Sequence, residues 1–288
     1  MSVLADVLAP LALIGIGAAY ARRCATLGRG GRGVPVWRQA SFAAGIGLLI
    51  LADLPPLAEL ADELIVAHMV QHLVIGDLAA LLVALGLTGP LLQPLLAQRG
   101  LHWLRAFGNP LVALPFWALN LYLWHLSALY EGVLSSAPLH LLQHAAFFGF
   151  GLAMWMPLFG PLPRPAWFGN AAMAIYVVVV RLAGAGLANV LAWSGSALYP
   201  KYAAGEAEHG VSPLGDQGSA GMVMMVESGL VTFGVLAWIF FRWARQDSER
   251  QRLLDLASER GVELDEARAG RAVAAGQGAR LERRLRES

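Results

Sequence analysis

The sequence carries two HxxxH pairs inside apolar segments, His68 and His72 in HMVQH and His140 and His144 in HLLQH. A fifth histidine, His125, lies in an apolar segment between them. Residues four apart share one face of a helix, so each pair presents two imidazoles to one neighbour. Imidazole binds copper, zinc, iron or nickel, and a histidine within a membrane is costly enough to indicate a functional site. We therefore predict that these five histidines are metal ligands.

Composition places these histidines in a membrane protein. The chain is 57% apolar and only 14% charged, unlike a soluble domain. A helix of about 20 apolar residues crosses the roughly 30 Å hydrocarbon layer. We predict an all-α fold, a polytopic membrane bundle of seven transmembrane helices. The predicted spans lie near residues 4–20, 38–54, 63–86, 110–130, 137–159, 169–193 and 217–241.

The charges are segregated along the chain. Residues 242–288 contain 11 arginines and 9 acidic residues, so 20 of the 41 ionised groups lie in a tail. We predict a transmembrane domain over residues 1–241 and a charged, helical cytoplasmic tail over residues 242–288. Arginines also concentrate in alternate connections between spans, which by the positive-inside rule places the amino terminus outside and the tail in the cytoplasm.

This topology predicts depth, because an α-helix rises about 1.5 Å per residue. All five histidines then lie in the outer half of the bundle, roughly 5 to 13 Å below its outer surface. Met222 and Met225 lie one turn apart at a similar depth, and thioether sulfur favours Cu(I) over zinc or iron. The alternative role for all these side chains is helix packing and hydrogen bonding.

Three ionisable residues are predicted to lie deeper in the membrane. Arg181, Glu227 and Asp77 fall in the sixth, seventh and third predicted spans. An unpaired charge at this depth is costly, so we predict that Arg181 pairs with Glu227 or Asp77.

Several segments together resemble a known family. They are HMVQH (68–72), LYLWHLSALY (121–130), HLLQHAAFFGFGLAMWMPLFGP (140–161), LYPKY (198–202) and the DQxxAG opening of the last span at residues 216–221. In this order, over about residues 60–242, they resemble the CtaG-type cytochrome c oxidase assembly factors, which are seven-span bacterial membrane proteins implicated in copper delivery to the oxidase. The chain departs from that pattern at Ser127, Gln143 and Met225, where we expect proline, an acidic residue and tryptophan.

The resemblance implies a non-enzymatic protein of the bacterial inner (plasma) membrane that assists oxidase assembly by handling copper at the outer face. It adds Asp216 and Gln217 to the outer layer formed by the five histidines. The implied partners are an oxidase subunit or its copper chaperones, together with membrane lipid and no nucleic acid.

Two other functions compete with this interpretation. Zinc held by histidines and a carboxylate such as Asp216 activates water in a membrane hydrolase. Two of the histidines could instead be the axial ligands of a haem. Metal analysis separates zinc from copper, and a Soret band identifies haem.

Overall fold

The computed structural model describes residues 3–287, with side chains from residue 10 onward. Every regular element in that range is helical. The α-helices are α1 (Val3–Arg29), α2 (Val36–Ala52), α3 (Leu57–Glu63), α4 (Ile65–Leu73), α5 (Ala80–Gly86), α6 (Gly89–Leu96), α7 (Pro110–Trp124), α8 (Ser127–Val133), α9 (Ala137–Phe159), α10 (Asn170–Trp193), α11 (Ala203–Glu208), α12 (Pro213–Glu259), α13 (Glu266–Ala274) and α14 (Gly278–Glu287). A π-helical segment, Val74–Ala79, joins α4 to α5, and 3₁₀ helices occupy Arg99–Gly108 and Pro200–Tyr202.

The predicted seven spans are supported in part. Among the described residues, four helical stretches are long and apolar enough to cross a membrane, and there are up to six if each of two bent pairs forms one span. The four stretches are Ile65–Gly86, α9, α10 and α12. The predicted first span, residues 4–20, lies in α1 and falls partly outside the described side chains.

The two bent pairs correct the predicted boundaries. Helix α7 and helix α8 meet at 74°, so the predicted fourth span, 110–130, is not straight. Leu126 is extended at the bend, with φ −64° and ψ 127°. Helices α2 and α3 meet at 49°, so the predicted outer loop over residues 55–62 contains a helix. Pro55 and Pro56 lie at that break, where the lack of backbone N–H groups prevents one continuous helix.

The chain divides into two compact units. One comprises residues 1–168 and 178–230, and the other comprises residues 169–177 and 231–288. The second unit contains a small apolar cluster made by Leu253, Ala257, Val273 and Leu285. Helix α12 is continuous across residue 241, where the sequence places the end of the transmembrane domain.

In the first unit, α9 packs closely against the helical stretch Ile65–Gly86. A Cβ atom at Gly151 would overlap the carbonyl oxygen of Gly76. Only glycine allows this backbone-to-backbone approach. On the same two helices, His72 lies about one turn and His144 about two turns from the contact, so the contact keeps the helices close enough for their histidines to meet.

The predicted orientation can be tested by thiol labelling in a Cys24→Ser background. Single cysteines at Glu59, Ser135 and Glu208, in predicted outer connections, should react with an impermeant maleimide added to intact cells. A cysteine at Arg99, in a predicted cytoplasmic connection, should react only after the membrane is permeabilised. The reverse labelling pattern would overturn the orientation.

Candidate functional site

The two HxxxH pairs face each other across α4 and α9. Ring centroids are 5.9 Å apart for His68 and His140 and 5.6 Å apart for His72 and His144. Within each pair the centroids are 4.2 Å apart. The four imidazoles therefore form one contiguous cluster, which we call the histidine cluster.

In each of three histidines, one ring nitrogen faces an oxygen that accepts a hydrogen bond. His72 Nε2 lies 3.2 Å from Gln143 Oε1, and His144 Nδ1 lies 3.1 Å from Asp53 Oδ1. His125 Nδ1 lies 2.7 Å from the carbonyl oxygen of Leu121. Because these oxygens accept, the facing nitrogen carries the proton, and the other nitrogen of each ring keeps its lone pair.

The nitrogens that keep a lone pair are buried. Among the residues with described side chains, one nitrogen of each of the five histidines is buried and lacks a hydrogen-bond partner. A buried polar atom without a partner costs about 1 to 3 kcal/mol. Metal-binding histidines commonly donate one N–H to an oxygen and bind the ion through the other nitrogen. The unpartnered atoms are His68 Nε2, His72 Nδ1, His125 Nε2, His140 Nε2 and His144 Nε2.

His125 lies beside the cluster rather than within it. Its ring centroid is 6.1 Å from that of Phe147, and the Phe147 ring stacks on His72 at 4.3 Å. His125 and His72 line one cavity of about 60 Å³. Met69 and Met224 also line this cavity, so thioether sulfur is available beside the imidazoles.

His68 is held by groups from α3 and from the 3₁₀ helix Pro200–Tyr202. Its Nδ1 lies 3.0 Å from Tyr202 Oη and 3.2 Å from the carbonyl oxygen of Ala61. Burial raises the pKa of Tyr202, so its hydroxyl remains protonated at neutral pH. Tyr202 donates to Ala61 O at 3.3 Å while accepting from His68 Nδ1, which satisfies all three groups. This leaves His68 Nε2 with the lone pair.

Asp216 and Gln217 position the site rather than face the histidine cluster. The Asp216 carboxylate accepts from the N–H of Ile65 at 2.6 Å and of Val66 at 3.1 Å, which caps the first turn of α4. Gln217 Oε1 accepts from Leu198 N at 2.8 Å. The two side chains therefore fix the start of α4 and the loop after α10.

The two predicted methionine ligands differ in their surroundings. Met222 is 50% exposed. Met225 is partly buried against the main apolar core. Met224, between them in sequence, is the one that shares the cavity with His72 and His125.

Several residues of the site were not among the sequence predictions: Asp53, Gln71, Tyr202, Met69 and Met224. Asp53 directly follows the last residue of α2. Gln71 lies inside the HMVQH motif and donates to Ala52 O at 2.9 Å, which ties α4 to the end of α2. Gln71 could have been identified from the sequence, because it is a polar residue inside an apolar motif. The two methionines could not, because methionine is equally common as a packing residue.

The predicted pairing of Arg181 is confirmed, with Asp77 as its partner. Both side chains are only 10% exposed, and Asp77 lies in the π-helical segment after α4. Trp155 Nε1 also donates to Asp77 Oδ1 at 3.0 Å, and the Arg181 guanidinium lies over the Trp155 ring at 5.2 Å. Glu227 interacts electrostatically with both partners. Asp77 also lines the cavity of His72 and His125, so the charged group adjoins the histidines.

The described residues contain no group of three or more His, Cys, Asp or Glu side chains already arranged to hold a metal ion. The histidine rings contact one another through their faces and edges instead. Their unpartnered nitrogens are imidazole donors of the kind that binds a transition-metal ion.

Comparison with known families gives one match. The profile of the family described as cytochrome c oxidase caa3 assembly factor covers residues 18–246. No curated protein and no solved structure matches the chain.

The Arg181–Asp77 pair predicts a specific pattern of stability. Arg181→Leu leaves an uncompensated buried carboxylate and should lower stability in detergent by about 3 to 5 kcal/mol. Adding Asp77→Asn should recover part of this loss in a thermal unfolding assay, and Glu227→Gln should recover less. A double variant with Asp77→Asn that is no more stable than Arg181→Leu would contradict the assigned pairing.

Proposed function

The chain belongs to the cytochrome c oxidase caa3 assembly factor family, and we propose that it serves this assembly by binding copper as cargo in the histidine cluster and passing it on. The observation that supports this proposal is the set of five buried, unpartnered ring nitrogens. An isolated structural histidine satisfies its second nitrogen with a neighbour. Five such nitrogens in adjacent rings indicate a ligand that supplies the missing contact.

The choice of copper is supported by the neighbouring donors. Met69 and Met224 lie with His72 and His125 around one cavity. Imidazole together with thioether is a donor set that favours Cu(I) over zinc and iron. Both sulfur atoms belong to buried side chains, so the site offers them without competing water.

Exposure suggests the order in which the histidines meet the ion. The side chains of Asp53 and His144 are 30% and 12% exposed, whereas His68 and His72 are 0% and 5% exposed. An ion would first contact Asp53 and His144, which form the exposed rim of the site. It would then reach the buried His68 and His72. The carboxylate attracts a cation, and the deeper imidazoles and thioethers hold it. In the predicted orientation this rim faces the outside of the bacterial inner membrane.

Two observations disfavour the competing functions. Both oxygens of Asp216 cap α4, so this carboxylate is not free to activate a zinc-bound water. The cavity beside His72 and His125 has a volume of about 60 Å³, which is close to the size of one or two waters rather than of a haem. Assembly-factor membership also supports a non-catalytic role, with an oxidase subunit or its copper chaperones as partners and lipid around the spans.

Gln143 offers a test of the coordination. It is fully buried and accepts from His72, in place of the carboxylate expected from the family pattern. Gln143→Leu should weaken Cu(I) affinity by about 10- to 100-fold, because a lost partner leaves the ligand unoriented. Gln143→Glu should strengthen binding by making the imidazole more basic. Competition with a chromogenic Cu(I) chelator measures both. Gln98→Leu, at an exposed glutamine, is the matched control, and equal effects at both positions would contradict the proposal.

The cellular test is complementation of a deletion strain. The strain should show lower oxidase activity with less copper in the purified oxidase and unchanged haem, and added copper should restore part of the activity. His72→Ala and His144→Ala proteins that reach the membrane should fail to complement, because each removes one donor of the cluster.

His102→Ala provides the matched control, since His102 is exposed and far along the chain from the cluster. It should complement fully. Full complementation by His72→Ala and His144→Ala as well would contradict the proposal that the histidine cluster handles copper. Normal oxidase activity in the deletion strain would show that oxidase assembly in that organism does not need this protein.

A further inference from the structure

The second compact unit contains a concave surface that the proposed copper role does not use. It lies between α13 and α14 and has a volume of about 380 Å³. Four arginines line it, together with the side chain of Gln277 and a few small or apolar residues. We call it the arginine concavity, and its arginines are Arg268, Arg271, Arg280 and Arg284.

The local fold brings these arginines together. Arg268 and Arg271 are three residues apart on α13, and Arg280 and Arg284 are four apart on α14, so each pair shares a helix face. The connecting turn is closed by Gly276, whose φ of +67° favours glycine. Gln277 N donates to Ala272 O at 2.8 Å, which completes a Schellman-type helix end.

The small apolar cluster beneath fixes the hairpin. Val273 of α13 and Leu285 of α14 pack with Leu253 and Ala257 of α12. At Gly278 an added Cβ would meet the Glu249 carboxylate, so the start of α14 lies directly against α12. The arginines are therefore presented by a packed three-helix element rather than by a loose chain end.

The concavity lacks compensating negative charge. Residues 268–286 contain six arginines and a single acidic residue, Glu282. Glu282 pairs with Arg252 and Arg286, which do not line the concavity. In the part of the chain with described side chains, none of the four lining arginines forms a salt bridge. Clustering like charges is unfavourable, and an anionic ligand would relieve the repulsion.

We propose that the arginine concavity binds a phosphate-bearing anion with more than one charge. Guanidinium groups match phosphate oxygens through paired hydrogen bonds, which is stronger recognition than a point charge provides. The volume falls within the range of small-molecule sites and suits a compact diphosphate group. The concavity lies beyond residue 246, where the family match ends, so this binding is separate from the proposed copper role.

The test uses the full chain in nanodiscs of phosphatidylcholine, titrated calorimetrically with inorganic pyrophosphate. Saturable binding is expected, and Arg271→Gln or Arg284→Gln should each weaken it about tenfold through loss of charge-assisted hydrogen bonds. Arg271→Lys should fall between wild type and Arg271→Gln. Arg283→Gln is the matched control, because Arg283 lies on α14 but does not line the concavity.

A second arm distinguishes a lipid headgroup from a free phosphate compound. The same nanodiscs are mixed with vesicles of cardiolipin, whose headgroup carries two phosphates, or of phosphatidylcholine and separated by flotation. Binding to cardiolipin vesicles that Arg271→Gln abolishes and that pyrophosphate does not displace assigns the anion to a lipid. Binding of pyrophosphate without vesicle binding assigns it to a free compound. If neither probe binds, or if Arg283→Gln weakens binding as much as Arg271→Gln, the proposal is overturned.

Discussion

A buried imidazole has two ring nitrogens, and within a membrane bundle no bulk water satisfies the second one. In this chain, oxygens of Gln143, Asp53 and the Leu121 carbonyl fix one nitrogen of three different histidines. The opposite nitrogens of these three rings have no hydrogen-bond partner of their own. Binding an ion would remove several desolvation costs at once, and this is the physical argument for the proposed metal role.

The histidine cluster depends on contacts that come from far along the chain. Asp216 begins the last span yet caps the helix that carries His68 and His72. Tyr202, on the loop between α10 and α12, orients His68. Motifs that look unrelated in sequence thus act on one helix.

Helical periodicity and membrane cost were enough to predict several of these features. An i, i+4 spacing places two imidazoles on one face, and an intramembrane Arg181 requires a carboxylate, which the structure supplies as Asp77. The 74° bend between α7 and α8, next to His125, was not predictable, because residues 110–130 have the composition of one continuous apolar span. Nor could sequence choose Met224 over Met222, since residues two apart differ by about 200° around a helix and the helix face that meets the histidines was unknown. The described residues give four to six candidate spans rather than a clear seven for a related reason, because apolar length does not reveal where a helix bends.

The contact of Gly76 with Gly151 has a consequence for how this chain tolerates insertions. The two HxxxH pairs match in spacing, because each places its second histidine four residues after its first. Loops between these helices are free to lengthen without disturbing that match. Inside the helices, a single residue inserted between His144 and Gly151 would turn the histidines by about 100° relative to the glycine contact. Length variation among related chains should therefore be confined to the connections, and the short intervals from each histidine pair to its glycine should stay fixed.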